Sequence, residues 1–203
     1  MLESISDKKK YYMLFKLAIF TGCRQGELLG LKWTDVLWTT SQIYIKRTFN
    51  KKAWYNPKTK TSIRKIDMGP SVLADLKQWQ RECPKTELDL IFPNRDGGPM
   101  DQSHMLNRFF FPALKKAGIP RIRFHDLRHT FASLLIDQGE NIKYIQTQLG
   151  HSTPSVTLNT YAHLLKPVNQ KAASRLEKMV LGESGDQMET RSKKRLTCVN
   201  VNP

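Results

Sequence analysis

Three predicted helix ends in the C-terminal half of the sequence carry side chains that could act on a phosphate. His125 and Arg128 lie three residues apart in RFHDLRHT, His151 lies in QLGHS, and Tyr161 lies in TLNTYAHLL. At a helix end, a rigid scaffold can expose a functional side chain without disturbing its own packing. A His-x-x-Arg pair alone is also typical of an ordinary solvent-facing helix start, so its meaning depends on its companions.

Two cations from the N-terminal half complete the candidate set. Arg24 lies in TGCRQGELLGLKW beside a predicted helix start, and Lys58 lies in NPKTKTSIRKI. Two alternatives stay open: Arg24 could simply pair with Glu27 at i,i+3, and Lys60 competes with Lys58 as the functional lysine. The set contains no paired carboxylates, no Ser-His-carboxylate arrangement and no cluster of metal ligands, so we expect neither a metal nor a cofactor.

Two arginines, two histidines, a lysine and a tyrosine suit the transfer of a phosphodiester. Guanidinium groups can neutralise the charge on the non-bridging oxygens of a five-coordinate phosphorus. Tyrosine offers an oxygen nucleophile, but with a pKa near 10 only about one phenol in a thousand is ionised at neutral pH. Neighbouring cations and a histidine must therefore activate it, and a lysine can protonate the leaving 5′ oxygen. The predicted product is a covalent phosphotyrosine.

The charge of the chain indicates a polyanionic partner. Its 203 residues include 33 Lys and Arg against 18 Asp and Glu, a formal net charge of +15. Residues 46–65 hold eight of these cations and no acid, together with Phe49, Trp54 and Tyr55. So basic a segment repels itself unless water or phosphates oppose it, which favours a face for DNA or RNA over a merely basic surface.

The cysteines and the N-terminal residues indicate the cellular compartment of the chain. Cys23, Cys83 and Cys198 are odd in number and widely spaced, which predicts reduced thiols without a metal site. The N-terminal residues lack a signal-peptide pattern, and no apolar run reaches the roughly 18 residues that a membrane span needs. We expect a cytoplasmic chain without a membrane partner.

The hydrophobic periodicity predicts a mostly helical α+β fold. Helices are predicted over 10–21, 24–31, from Pro70, from Asp101 to Gly118 with a kink at Pro112, over 126–138 and 141–150, and from Pro154 toward Tyr161. Two β-rich runs, 42–49 and 62–68, predict an antiparallel pair joined by a long basic hairpin.

The helix over 126–138 is expected to bury one face. Leu127, Phe131, Leu134 and Leu135 recur at helical spacing, which places Arg128 and His129 on the opposite face. His129, like His104 and His163, is more typical of a satisfied or solvent-facing histidine than of a catalytic one. Tyr11, Tyr12 and Tyr144 are expected to serve packing.

The C-terminal segment is predicted to contain one more helix and a tail. Residues 164–180 can form an amphipathic helix, and 182–203 are polar with mixed charge. The predicted organisation is a catalytic domain over residues 1–181 followed by a loosely ordered tail.

Five segments together resemble the tyrosine recombinases, particularly the integrases of phages and conjugative elements. In chain order they are TGCRQGELLGLKW, NPKTKTSIRKI, FHDLRHTFASLL, QLGHS and TLNTYAHLL, and the likeness covers roughly residues 8–180. Each segment is only suggestive alone, but the ordered set is highly specific. The resemblance implies a metal-free, cofactor-free DNA breaking and rejoining enzyme of the α+β class.

The resemblance also implies a role for each candidate residue. Arg24 matches the first catalytic arginine, Glu27 its buried acidic partner, and Lys58 the hairpin lysine that acts as general acid. In the second half, His125 matches a residue that helps proton transfer and Arg128 the clamp on the scissile phosphate. His151 matches the histidine that hydrogen-bonds the phosphate or assists the leaving group, and Tyr161 matches the nucleophile.

The assembly that the resemblance implies is a homotetramer on double-stranded recombination sites. Accessory directionality or DNA-bending proteins can take part, and the helix over 164–180 would dock on a neighbouring protomer. Members of the family usually carry a DNA-clamping domain before the first catalytic helix, which predicts that this chain is a fragment or an isolated catalytic domain. Type IB topoisomerase-like relaxation and a DNA-binding module without catalysis are the alternatives.

Overall fold

The computed structural model describes residues 1–56, 60–161 and 176–180. The chain divides into two units, Met1–Leu165 and Lys166–Pro203. In the second unit, the described residues 176–180 are helical; the rest of the predicted helix over 164–180 and the predicted tail over 182–203 lie outside the described residues. None of the described helices is long and apolar enough to cross a membrane.

The first unit is mostly helical, as the sequence predicts. Its helices are α1 (Lys9–Thr21), α2 (Gln25–Leu29), α3 (Pro70–Glu82), α4 (Gln102–Met105), α5 (Phe111–Lys116), α6 (Asp126–Asp137), α7 (Ile142–Leu149) and α8 (Pro154–Tyr161). Pro70 and Pro154 each occupy a first helical position, where the missing N–H costs nothing. Gly22 and Gly150 end α1 and α7 in the left-handed conformation.

The predicted kink near Pro112 is a π-helical segment over Leu106–Phe110 between α4 and α5. Proline cannot donate to the carbonyl four residues earlier, so the hydrogen-bond ladder rearranges just before it. Asp101 caps α4 as predicted, because its carboxylate accepts the His104 N–H at 2.7 Å.

The strands form two small antiparallel sheets. The first has the order β1 (Val36–Leu37), β2 (Gln42–Ile45) and β5 (Arg64–Asp67), with Ile43 opposite Ile66 and Ile45 opposite Arg64. The second is the hairpin of β3 (Thr48–Asn50) and β4 (Ala53–Tyr55). The predicted antiparallel pairing of the runs 42–49 and 62–68 is confirmed by β2 and β5, but it ends at Ile45, and residues 48–50 pair with β4 instead.

The tip of the β3–β4 hairpin is made of two lysines. Lys51 and Lys52 have φ values of 47° and 60°, the left-handed pair that a tight two-residue hairpin requires. Phe49 and Trp54 pair across the hairpin with ring centroids 5.2 Å apart. The basic segment therefore combines lysines at the turn with aromatic rings on the strands.

Two apolar clusters hold the first unit together. The larger one is built on α1, α3 and the three-stranded sheet, and includes Phe15, Ile43 and Leu76. The smaller one joins α6, α7 and α8 and consists of Phe131, Ala132, Ile136, Ile145, Leu149 and Tyr161. Tyr161 is thus a core residue of the smaller cluster.

Helix α6 is oriented differently from the sequence prediction. Arg128 is buried, with 3% of its surface exposed, whereas Leu134, predicted to face the core, is 51% exposed. At 100° per residue, the buried side chains from Leu127 to Ile136 cover about half of the helix circumference, and Leu134 falls just beyond one edge. The predicted apolar stripe was too narrow because α6 packs on α1 on one side and on α7 on the other.

Candidate active site

Arg24 is held at the start of α2 by Glu27. The carboxylate of Glu27 accepts the Arg24 backbone N–H at 2.8 Å and the Arg24 Nη1 donor, also at 2.8 Å. This i,i+3 pair is the alternative that the sequence left open, and it forms while the Arg24 side chain stays 40% exposed. The pairing therefore fixes the guanidinium at the surface without removing it from solvent.

Glu27 also pairs with a second, buried arginine. Arg64 donates from Nη1 and Nη2 to the two carboxylate oxygens at 2.9 Å each, and its Nε donates to the Gln148 carbonyl at 2.7 Å. Arg64 lies on β5 and Gln148 on α7. The bidentate pair therefore connects α2, the sheet and α7 around one carboxylate.

The Glu27 carboxyl is ionised because of these partners. Burial alone would raise its pKa, but the hydrogen bonds and charge of Arg64, followed by the charge of Arg24, lower the pKa to about 2. A folded-state pKa below that of the unfolded chain means stabilisation that is present above about pH 4.5 and is lost as the pH falls toward 2.

Glu27→Gln is expected to lower the free energy of unfolding at pH 7 by about 3 kcal/mol, because it leaves the buried Arg64 without its counterion. The difference from the unsubstituted chain should shrink as the pH falls from 5 toward 2, where the native carboxyl also becomes neutral. Urea unfolding across this pH range measures both effects. The exposed carboxylate of Glu82, changed to Gln, is the control, and a Glu27→Gln chain of unchanged stability would contradict the expectation.

Arg128 is buried between the ends of two helices. Its Nη1 donates to the Gly22 carbonyl at 2.8 Å and its Nη2 to the Leu149 carbonyl at 2.5 Å, at the C-terminal ends of α1 and α7. Helix C-termini carry unpaired carbonyls and partial negative charge, so they favour a cation. Burial, and then the charges of Arg24 and Arg64, lower the pKa of Arg128 to about 9. The guanidinium still carries its charge at neutral pH.

Two glycines permit this arrangement. Gly22 has a φ of +59°, and a Cβ there would lie 2.5 Å from the Phe131 ring. Gly150 has a φ of +68°, and a Cβ there would lie 2.8 Å from Arg64 Cδ and 3.0 Å from the Thr61 carbonyl. Both positions need a left-handed backbone and a close approach, and only glycine allows both without strain.

His151 follows α7 and is neutral at physiological pH. Partial burial, and then the charges of Arg128 and Arg24, lower its pKa to about 4. Its Nδ1 lies 2.9 Å from the Thr157 hydroxyl of α8, and its carbonyl accepts the Gln146 side-chain amide. A neutral imidazole beside two guanidinium groups can donate or accept a hydrogen bond but adds no charge.

His125 occupies the position just before α6 and is exposed. Partial burial of the ring and then the charges of Arg128 and His129 lower its pKa. Its ring meets that of His129 edge to face, with centroids 5.2 Å apart. His125 therefore lies on the solvent side of the same group of residues.

Tyr161 ends α8 and is 4% exposed. Its hydroxyl lies 2.6 Å from Nδ1 of His129. Burial raises the pKa of the phenol, whereas the charge of Arg128 acts to lower it. The sequence analysis took His129 for a satisfied or solvent-facing histidine, and in the structure its partner is the hydroxyl of the predicted nucleophile.

The structure brings five of the six predicted site residues into one electrostatic group. Arg24, Arg128 and His125 all lower the pKa of His151, and Arg128 acts on Tyr161 as well. The sixth, Lys58, lies outside the described residues, so the choice between Lys58 and Lys60 stays a prediction. The cations are contributed by both halves of the chain.

Sequence reasoning missed two residues of this group. Arg64 alternates with exposed positions along β5, on the same buried side as Ile66, and this period-two pattern in RKID could have revealed it. His129 directly follows Arg128, and its separation from Tyr161 by 32 residues left no local signal.

A cleft of about 550 Å³ opens beside Arg24. The β3–β4 hairpin provides much of its wall, and the lining includes Arg24, Arg47, Lys51, Tyr55 and Asn56. Arg47 is itself anchored on the buried carboxylate of Asp35. The cleft therefore combines donors and an aromatic ring next to the first arginine of the candidate site.

Known proteins are similar to the chain in sequence and in fold. A tyrosine recombinase XerC-like protein of Caldanaerobacter subterraneus subsp. tengcongensis is 32% identical, and the match covers 83% of this chain and 49% of that protein. The ICEBs1 integrase of Bacillus subtilis is 28% identical over 86% of this chain and 50% of its own length. The chain thus spans about half the length of these curated relatives.

A solved structure of the Tn1549 transposon integrase in complex with a circular intermediate DNA superposes with a TM-score of 0.72 at 23% identity. It matches 88% of this chain and 62% of that one. The model of the phage integrase family matches residues 1–167. The resemblance seen in the five sequence segments is confirmed, and the chain belongs to the phage integrase family of tyrosine recombinases.

Proposed function

We propose that the chain is the catalytic part of a site-specific DNA recombinase that cuts and rejoins strands through a 3′-phosphotyrosyl link at Tyr161. The observation that carries this proposal is the excess of positive charge around Arg128. The guanidinium groups of Arg24 and Arg64 both act on that of Arg128, and one carboxylate, Glu27, acts against them. A bound phosphodiester would supply the missing negative charge.

The charge balance favours the transition state over the ground state. A phosphodiester carries one negative charge, and the five-coordinate arrangement concentrates more on the non-bridging oxygens. Buried, preorganised donors stabilise such developing charge strongly because they need no reorganisation. Arg128 is already fixed by two carbonyls and Arg24 by Glu27, so their remaining N–H groups can serve the phosphate.

The proposed roles follow the placement of each group. Arg24 and Arg128 clamp the scissile phosphate, and neutral His151 donates a hydrogen bond to it. Tyr161 attacks phosphorus, His125 helps proton transfer at the exposed side, and Lys58 protonates the leaving 5′ oxygen. No metal and no cofactor enter the scheme.

The relatives support DNA as the partner. They are a tyrosine recombinase XerC-like protein and an integrase, and the solved structure of the Tn1549 integrase contains DNA. The net charge of +15 and the cleft beside the lysine-tipped hairpin suit a phosphate backbone. The proposal extends to the biological reaction, which is integration or excision of a mobile element. A DNA-bound homotetramer, together with accessory proteins, carries it out in the cytoplasm.

Residues 1–181 form the proposed catalytic domain. With a net charge of +15, the chain is expected to bind DNA with a steep salt dependence. Assays should therefore start at low ionic strength.

Covalent trapping tests the proposal. The chain is incubated without divalent metal with a pool of nicked duplexes of randomised core sequence, in which the short cleaved fragment diffuses away. We expect an adduct that survives denaturation, with the DNA joined through its 3′ phosphate to the peptide containing Tyr161. Failure to form any adduct across the pool at low salt would overturn the proposal, and on intact duplexes, strands rejoined only to their original partners would favour a relaxing activity.

A further inference from the structure

The buried hydroxyl of Tyr161 is hydrogen-bonded to the imidazole of His129. The 2.6 Å separation from His129 Nδ1 is short for a neutral pair, and the two rings are 5.7 Å apart with a tilt of 58°. His129 lies in the first half of α6, next to the buried Arg128, while Tyr161 ends α8. Packing of Tyr161 in the smaller apolar cluster fixes this contact.

The direction of the hydrogen bond follows from the chemistry of the phenol. Burial keeps the phenol protonated, since it raises the pKa of Tyr161. Such a hydroxyl donates to Nδ1 of His129 in the tautomer that carries the imidazole proton on Nε2. The pair is therefore arranged for transfer of the phenolic proton to Nδ1.

We propose that His129 is a catalytic residue of the strand transfer, the general base that accepts the Tyr161 proton as the phenol oxygen attacks phosphorus. This inference rests on the proposed function. The bond from the Tyr161 oxygen to phosphorus forms and the bond from phosphorus to the 5′ oxygen breaks. The phenolic proton moves to Nδ1 of His129, and the leaving 5′ oxygen takes a proton from Lys58. In the rejoining step each proton returns along the same route.

The neighbours of His129 suit a group that becomes positively charged. Asp126, one turn earlier on α6, interacts electrostatically with His129 and can stabilise the imidazolium. The ring of His125 opposes that charge, and Tyr161 faces it from α8. As the phenol loses its proton, the new phenolate and Arg128 attract each other, which favours the transfer.

His125 occupies a different position. It is exposed and contacts the edge of the His129 ring, and within residues 1–56, 60–161 and 176–180 the hydrogen bond to the Tyr161 hydroxyl belongs to His129. Geometry decides first between candidate bases, because a base must lie within hydrogen-bond reach of the proton that it takes. His129 meets that requirement before DNA binds.

The test compares rates of adduct formation between pH 5.5 and 9 for the unsubstituted chain, His129→Gln and the exposed control His104→Gln. Glutamine keeps a hydrogen-bonding side chain but cannot take up the proton. We expect His129→Gln to slow adduct formation roughly 10²-fold or more near neutral pH. The rate of His129→Gln should depend more steeply on pH than the native rate, because in the variant only hydroxide is left to remove the phenolic proton.

A second variant separates catalysis from packing. His129→Ala leaves space beside Tyr161, and added imidazole should restore part of its rate, which a purely structural role would not allow. Thermal unfolding of both variants shows whether the fold is retained. A His129→Gln chain with the native rate, or with an equal loss at every pH and no imidazole rescue of His129→Ala, would overturn the inference and leave the proposed function intact. An unsubstituted chain that forms no adduct overturns both.

Discussion

Replacing Tyr161 with phenylalanine is expected to abolish the covalent protein–DNA adduct while leaving the fold and DNA binding in place. The change removes the phenol oxygen, for which the proposed reaction has no substitute, but keeps the ring in the apolar cluster of α6, α7 and α8. Loss of the hydrogen bond to His129 should cost about 1 kcal/mol of stability. Denaturing gels with labelled nicked DNA measure the adduct, and circular dichroism follows unfolding.

Tyr144 provides the matched control for that experiment. Its hydroxyl also makes one side-chain hydrogen bond, to Asp67 at 3.0 Å, and its pKa is raised to about 12 by partial burial and then by that carboxylate. Tyr144→Phe should form the adduct at the native rate. If the Tyr161→Phe chain still became linked to DNA, another side chain would be the nucleophile.

Arg128→Ala is expected to slow adduct formation by on the order of 10² to 10³-fold, because one preorganised donor to a developing oxyanion is worth about that much. The substitution should also lower stability by a few kcal/mol, since it leaves the buried carbonyls of Gly22 and Leu149 without a donor. Single-turnover rates at saturating DNA separate slow chemistry from weak binding.

Two further variants sharpen the Arg128 result. Arg123→Ala removes the same charge from an exposed side chain on the approach to α6 and should leave the single-turnover rate near the native value. Arg128→Lys keeps a charge but cannot bridge the two helix ends with a forked group, so much of the rate loss should remain. A normal rate at saturating DNA for folded Arg128→Ala would contradict the role of Arg128 in the transition state.

The ends of the helices were predictable because their signals are local. Gly22, Gly150, Pro70 and Pro154 mark boundaries through their own backbone preferences, and the structure has helix ends at each of them. The site residues at those ends could be chosen for the same reason: their types and spacing are visible without knowing which elements pack together.

The features that the sequence analysis assigned wrongly or missed all depend on contacts between segments that are distant in the chain. Arg128 was assigned to the polar face of α6, because nothing near it in the sequence shows that two helix C-termini would enclose it. The contact of His129 with Tyr161 and the pairing of Arg64 with Glu27 likewise join residues 32 and 37 positions apart. Such contacts are decided by tertiary packing, which a single sequence does not display.

The burial of Arg128 between α1 and α7 has a consequence during synthesis of the protein. Both helices must dock before the guanidinium has its carbonyl acceptors, and these come from segments more than 100 residues apart along the chain. A partly folded molecule would therefore lack the assembled candidate site. Under the proposed function, the chain would thus become able to cut DNA only once its folding is complete.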